Sequence, residues 1–295
     1  MEAEKTVLYE VRDGIAYITM NRPERHNATR HLEYELLDEY ARKADLDDNV
    51  RAVIWSGRGP SFSVSDDIQG LKSDEGHSPI SENLYQHFVD QDWANWVAKG
   101  APTSPAQNMG RTMLESGKIF IAAVQGLCIL TELTYPCDFV IAADNARFTQ
   151  PDIVIGQVSS GSGTVVLPRL LGRRRALEMF LDPTPISAEE AYRRGIVNKV
   201  VPLPDLMAEA EALARKLIVY NPKTVGIIKK LITRSQGPVD EFLQTEQLYC
   251  GFCHGMPGTG APIGNWVELL GYPKELLEGL DMSVPYAWRA ADDKK

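Results

Sequence analysis

The chain is poor in cysteine, has no excess of basic charge and contains no long apolar run, and each shortage excludes something. Four cysteines in 295 residues, Cys128, Cys137, Cys250 and Cys253, do not make a disulfide framework of the kind that holds small secreted domains together. No stretch approaches the ~18 consecutive apolar residues of a membrane span. The opening "MEAEKTVLYE" is charged and lacks an apolar signal core. These absences predict a cytoplasmic protein with no membrane partner. Lys and Arg number 31 against 40 Asp and Glu, a net charge of -9, so no global positive field would attract nucleic acid. An anionic ligand would need local basic groups. No internal repeat or low-complexity tract is visible.

Two of the cysteines fall in "CGFCH", Cys250 to His254, which has the spacing of a c-type haem attachment and of a CxxC redox motif. A redox CxxC opens a helix after a strand, where the thiolate is stabilised. Here the motif follows "PVDEFLQTEQLY", a helical pattern, so these are read as incidental cysteines near a helix end. No metal or redox cofactor is implied.

What is present is an ordinary globular composition, 44% hydrophobic, with enough apolar residues for a sizeable core. "TVLYEVRDGIAYITM" alternates apolar and polar residues around Asp13-Gly14 and predicts a β-hairpin. A helix follows, with Leu32, Leu36, Leu37 and Tyr40 at helical spacing, and then the buried strand "RAVIWSG". After the loop "GRGPSFSVSDDI", residues 73 to 105 show no strong periodicity. They read as an insertion, either a lid or a surface excursion. A helix over "NMGRTMLES", the strand "KIFIAAVQG", and strands in "CDFVIAA" and "ARFTQ" come next. Short helices over "GSGTVVLPRLLG", "RRALEMFL" and "SAEEAYRRG" follow, the last with Ser187 as N-cap and Glu190 at its third position. After the strand "IVNKVVP" the pattern is helical. The division is therefore an α/β part, residues 1–202, and a helical part, residues 203–295.

The chemistry is concentrated in "AAVQGLCILTELTYPCD", where Glu132 stands in an apolar run. A carboxylate in such a setting is costly to ionise, so it can act as an acid or base near neutral pH. A glutamate opening a helix toward solvent has the same local sequence. Twenty residues on, Asp152 follows a proline in "FTQPDIVIG". Two such acids can divide the work, one holding a proton and the other a negative charge.

The segments "YEVRDGIAYITMNRPERHNA", "AVIWSGRGPSFSVSDDI", "IAAVQG…EL…CDFVIAADNARFTQPDIVIG" and "ISAEEAYRRGIVNKVV", in this order over roughly residues 6 to 235, resemble the crotonase superfamily of enoyl-CoA hydratases and isomerases. The resemblance implies a spiral of ββα units with a C-terminal helical region that trimerises, and hence a homotrimer or hexamer. It implies a lyase that stabilises an enolate of an acyl-CoA, with coenzyme A entering only as part of the substrate. Glu132 and Asp152 keep the spacing of the hydratase acids. By resemblance, Glu132 positions or deprotonates water, and Asp152 supplies the proton to the α-carbon. An oxyanion hole of two backbone N–H groups is implied at Asp66 and, counting back from Glu132, at Ile129; counting forward from Gly126 nominates Thr131 instead. Arg25, Ile68, Leu130 and Lys229 stand where the substrate would bind.

The sequence departs from the family pattern in three places. Asp66 is a carboxylate where a small residue is usual, Gln69 replaces a common lysine, and "GLCILTE" has no glycine after Gly126 and is about two residues short. Glycine allows a backbone to approach a ligand closely, so this turn predicts a differently shaped site. "GRGPSF" and the glycine-poor turn also resemble the β-diketone hydrolases, a branch that opens diketones by a retro-Claisen reaction without CoA. His31 is the candidate base for that chemistry, although the acid expected in the "GxG" turn is Ser162. A third alternative is a crotonase-fold binding protein without catalysis. Its acidity argues against RNA, and the spacing of the two acids argues against an inert scaffold.

Overall fold

The computed structural model describes residues 5–67, 105–129, 133–155, 157–159 and 161–254. The chain opens with β1 (Val7–Arg12) and β2 (Ile15–Met20), an antiparallel pair. Asp13 and Gly14 both take positive φ, 50° and 79°, as a two-residue type I′ turn requires. Helix α1 (His31–Leu46) and β3 (Ala52–Gly57) follow. Further along the chain come α2 (Pro105–Glu115), β4 (Ile119–Val124), β5 (Leu127–Ile129), β6 (Phe139–Ala143) and β7 (Arg147–Thr149). Then α3 (Gly163–Leu181), β8 (Ile186–Ser187), α4 (Ala188–Arg194) and β9 (Lys199–Val201) complete the α/β part. Three helices close the described chain: α5 (Leu206–Leu217), α6 (Pro222–Ser235) and α7 (Asp240–His254). Among the described residues no helix is long and apolar enough to cross a membrane.

The main sheet runs in the order β1-β2-β3-β4-β6-β9, parallel throughout apart from the opening hairpin. Both faces of its central strands are covered, so their sequences are continuous apolar runs. Alternation still sorts them: Val53, Trp55, Phe120 and Ala122 join one core with Leu37, Met109 and Met113, while Ile54, Ile119 and Ile121 join another with Leu206, Ala210 and Ala214.

A second, smaller ladder builds the spiral. Each central strand leaves the main sheet and leads into a short pairing in a second layer. After β2 it is Thr29, bridged to Asp66; after β3 it is Ser63, bridged to Cys128; β4 leads to β5 and β6 to β7. This is the ββα repeat that the resemblance implied. It repeats in hydrogen bonding and not in residues, which is why no sequence period reveals it.

Several local expectations hold. Ser187 Oγ accepts from the Glu190 N–H at 3.2 Å, and α4 ends at Gly195 with φ 86°, an N-cap with a left-handed C-cap. The helices expected over "GSGTVVLPRLLG" and "RRALEMFL" meet at Gly172, whose φ of 73° and ψ of 163° break α3 in two. The "CGFCH" segment lies in the last turns of α7. On α1 Leu37 is buried and Leu36 and Tyr40 pack against the core as expected, and only Leu32 departs from the predicted stripe. Leu32 is 51% exposed, and Glu33, Leu37, Ala41 and Ala44 face inward. Glu33 accepts from the Arg30 backbone and guanidinium, so its carboxylate is buried as an N-terminal cap. These bonds hold its pKa below the usual glutamate value against the opposing effect of burial.

Lys229 on α6 is buried. Its Nζ donates to Asp138 Oδ2 at 2.7 Å and to the Lys118 carbonyl at 2.8 Å, and it lies 5.1 Å from the centre of the Phe120 ring. The cation thus pins α6 against the ends of β4 and β6. Lys229→Met is expected to cost about 2–4 kcal/mol in urea unfolding, because it leaves the half-buried Asp138 carboxylate with only the Phe120 N–H.

Candidate active site

The turn between β4 and β5 sets the site's geometry. Gly126 has φ 56°, and a Cβ added there would stand 1.9 Å from the Pro60 carbonyl oxygen. The missing side chain lets the "GRGPSF" loop lie directly against the turn. Phe62 N–H then donates to the Gln125 carbonyl, Ser63 N–H to Leu127, and Ile129 N–H back to Ser63, at 2.8, 3.1 and 3.0 Å.

That last bond corrects the expectation for Ile129. Its N–H closes the second-layer ladder and is not free to bind an oxyanion. Thr131, the other nominee, lies outside the described residues, as do Glu132, Leu130, Ile68 and the whole of residues 73 to 104. Pro105 opens α2.

Asp66 lies in the loop after β3 and bridges to Thr29. The bridge between Thr29 and the loop uses the N–H groups of Thr29 and Asp67, donating to Ser65 and Thr29 carbonyls at 2.7 and 3.0 Å. The Asp66 N–H stands outside that ladder. Ser65, just before it, is in the left-handed region with φ 74°, which turns the peptide. The Asp66 side chain accepts a hydrogen bond from the Tyr34 hydroxyl of α1 at 2.9 Å. Asp66 is exposed to solvent. Desolvation and the neighbouring Asp67 charge raise its carboxyl to about 6, while the Tyr34 bond works the other way.

The neighbouring Asp67 anchors the loop. Its side chain is 1% exposed and takes Arg22 Nη2 at 2.6 Å and Arg25 Nη2 at 2.7 Å, one on each oxygen, a charge-assisted fork. Arg25, expected at the substrate, therefore also fixes the residue beside Asp66. His31 is the first residue of α1, and its side chain lies outside the described part of the structure.

Asp152 opens a 3-10 turn, Asp152–Ile155, after Gln150 and Pro151 lead out of β7. It is 8% exposed, and Gln150 Nε2 donates to its Oδ2 at 2.6 Å. Burial raises its carboxyl to about 7; the Gln150 bond opposes the rise, and the charges of Asp66 and Glu246 add to it. The carboxyl thus keeps its proton to a higher pH than an ordinary aspartate.

The spacing of the two acids has a physical origin. Strands β5 and β7 are parallel, pairing Leu127 with Arg147, Cys128 with Phe148 and Ile129 with Thr149, a register offset of twenty residues. Positions 132 and 152 both lie three residues past the last of these pairs. Leu133, Thr134 and Tyr135, immediately after Glu132, are buried.

Glu246 was not anticipated. It comes from α7 and is 5% exposed. It accepts from Ser162 N–H at 2.8 Å, Thr164 N–H at 2.9 Å, Thr164 Oγ1, and Gln107 Nε2 at 3.1 Å. Its partners lie up to 139 residues away in sequence, so no local signal marks it.

Known proteins resemble the chain along most of its length. A short-chain enoyl-CoA hydratase of Clostridium acetobutylicum is 30% identical over 251 residues, spanning 84% of this chain and 88% of that protein. A 1,2-epoxyphenylacetyl-CoA isomerase of Escherichia coli is 28% identical over 257 residues, spanning 82% and 88%. The crystal structure of an enoyl-CoA hydratase from Mycobacterium avium subsp. paratuberculosis superposes with a TM-score of 0.74 at 20% identity, covering 90% of this chain and 96% of that one.

With its two ladders, spiral connection and buried acid, the molecule is an enzyme of the crotonase fold. A family model described as enoyl-CoA hydratase/isomerase matches residues 96–246, and the chain belongs to that family.

Proposed function

We propose that the protein is an enoyl-CoA hydratase-like lyase that adds water across, or removes it from, the double bond of an acyl-CoA, using Glu132 and Asp152. The observation that carries this reading is Asp152, a buried proton-holding carboxyl. Its offset from Glu132 equals the register offset of the ladder that both follow. The family and the hydratase relative support it.

In the hydration direction Glu132 takes a proton from water as its oxygen bonds to the β-carbon. The π electrons move onto the thioester oxygen, where the Asp66 N–H stabilises the enolate. The enolate then collapses and takes the Asp152 proton at its α-carbon. Asp66 can serve through its backbone because its carboxyl is tied to Tyr34. Ile68, Leu130 and Arg25 complete the substrate contacts in this reading. The apolar side chains Ile227, Ile228, Leu231 and Ile232, all more than half exposed on α6, form the trimer contact, for which light scattering should return three chain masses or six.

The test is hydration of a short-chain 2-enoyl-CoA by the purified protein. Glu132→Gln should abolish turnover while leaving the melting temperature and oligomer unchanged; full activity in that variant would sink the assignment. The proton held by Asp152 sets the high-pH limb. kcat/KM should be maintained below neutrality and decline as pH rises through about 7. Titration of acetyl-CoA by calorimetry addresses the coenzyme A portion of the substrate, and no binding at millimolar ligand would favour the diketone hydrolase chemistry.

A further inference from the structure

Helix α3 begins in an unusual way. Its N-cap, Ser162, has a left-handed backbone with φ 80° and makes no side-chain cap bond; the Ser162 hydroxyl is fully buried without a partner. The first N–H groups of a helix require acceptors, and here Glu246 of α7 supplies them. Its carboxylate takes Ser162 and Thr164 N–H together with the Thr164 hydroxyl and the Gln107 amide. The helix dipole favours a negative charge at that end.

The same helix start is the far anchor of the segment that carries Asp152. Gln157 N–H donates to the Asp152 carbonyl at 2.9 Å, and Gly163 N–H donates to Ser159 Oγ at 2.9 Å. Asp152 is thus tied to Gln157 and Ser159 to Gly163, and the helix start that follows them is held by Glu246.

We infer that Glu246 is a positioning residue for Asp152: from α7 it fixes the helix start that follows the proton donor and adds a second carboxylate to its electrostatic surroundings. The inference rests on the reading of Asp152 as the proton donor. Burial raises the Glu246 carboxyl, while its four donors hold it toward the charged form. Among the described residues the titratable groups acting on Asp152 are Asp66, on the loop after β3, and Glu246; the neutral Gln150 is its hydrogen-bond donor. Both carboxylates make ionisation of Asp152 harder, so both help it retain a proton at neutral pH.

The experiment compares the pH profile of kcat/KM for the full-length wild type, Glu246→Gln and Glu246→Asp. Glu246→Gln should move the high-pH limb down by on the order of one pH unit, and Glu246→Asp, which keeps the charge, should leave it near the wild-type position. A lower kcat with an unmoved limb in Glu246→Gln would show a purely structural cap and overturn the inference. Should Glu246→Gln fail to fold, carbon-13 carboxyl titration of the wild type decides. The Asp152 resonance should show a second inflection where Glu246 titrates, and a single inflection overturns the coupling. Because this titration needs no turnover, it separates failure of the inference from failure of the hydratase reading.

Discussion

Asp152→Asn is expected to lower hydratase turnover by about a thousandfold, the usual scale for losing a positioned general acid, and at the same time to stabilise the protein at alkaline pH. The two effects share one cause. The carboxyl sits at about 7 against an ordinary 3.8 because burial disfavours its charge. A group whose folded pKa is raised contributes its full stability below its unfolded pKa and loses it as pH rises through the folded value. The fold is therefore increasingly destabilised by Asp152 as pH rises from about 4 to about 7, with no further loss above that. With about 1.4 kcal/mol per pH unit, the loss approaches ~4 kcal/mol at pH 8 and vanishes below pH 4. Asparagine removes it while its amide oxygen can still accept from Gln150. Thermal melts at pH 8 and pH 4 provide the check, and a gain in melting temperature of equal size at both would contradict this account of the acid.

Gly126→Ala should be the most damaging single-methyl change in the described chain. Its Cβ would stand 1.9 Å from the Pro60 carbonyl oxygen and 2.9 Å from that carbonyl carbon, at a φ of 56°, so backbone on one side must move. We expect a loss of about 3–5 kcal/mol, within the range of severe backbone and packing lesions, and a melting temperature lower by on the order of 10 °C. Activity should fall with it, because the loop pushed away leads from Phe62 to the Asp66 N–H. Gly195→Ala is the control. That glycine also has positive φ, 86°, but nothing lies within 4 Å of its added Cβ, so only about 1 kcal/mol should be lost. A similar cost at both positions, measured by denaturant unfolding, would show that the contact with Pro60 is not what makes Gly126 necessary.

The placement of the C-terminal helical region beside the α/β part has a functional implication if Glu246 acts as inferred. Helix α7 would then be part of the catalytic apparatus, in addition to any role in assembly. The acid's strength would depend on a residue that is 94 positions away in sequence from Asp152.

Much of this was legible in the residues. The hairpin at Asp13-Gly14, the Ser187 cap, the break within "GSGTVVLPRLLGRRRALEMFL" and the order of strands follow from periodicity and turn chemistry, which act over a few residues. The N-terminal end of the α1 stripe did not follow, although Leu36, Leu37 and Tyr40 meet the core. Leu32 looked like core by its spacing, but Glu33 is buried in its place because Arg30 and the helix N-terminus neutralise it.

By itself the sequence determined the elements, the family pattern and the interval between Glu132 and Asp152, since local propensity and a parallel register are both written in residue order. Tertiary structure decided which groups remain free. It engaged the Ile129 N–H with Ser63, paired Arg25 with Asp67 and Lys229 with Asp138, and brought Glu246 to the start of α3. The physical reason is that a polar group's role depends on the partner that satisfies it. Here those partners come from strands and helices tens of residues away, joined only when the spiral closes.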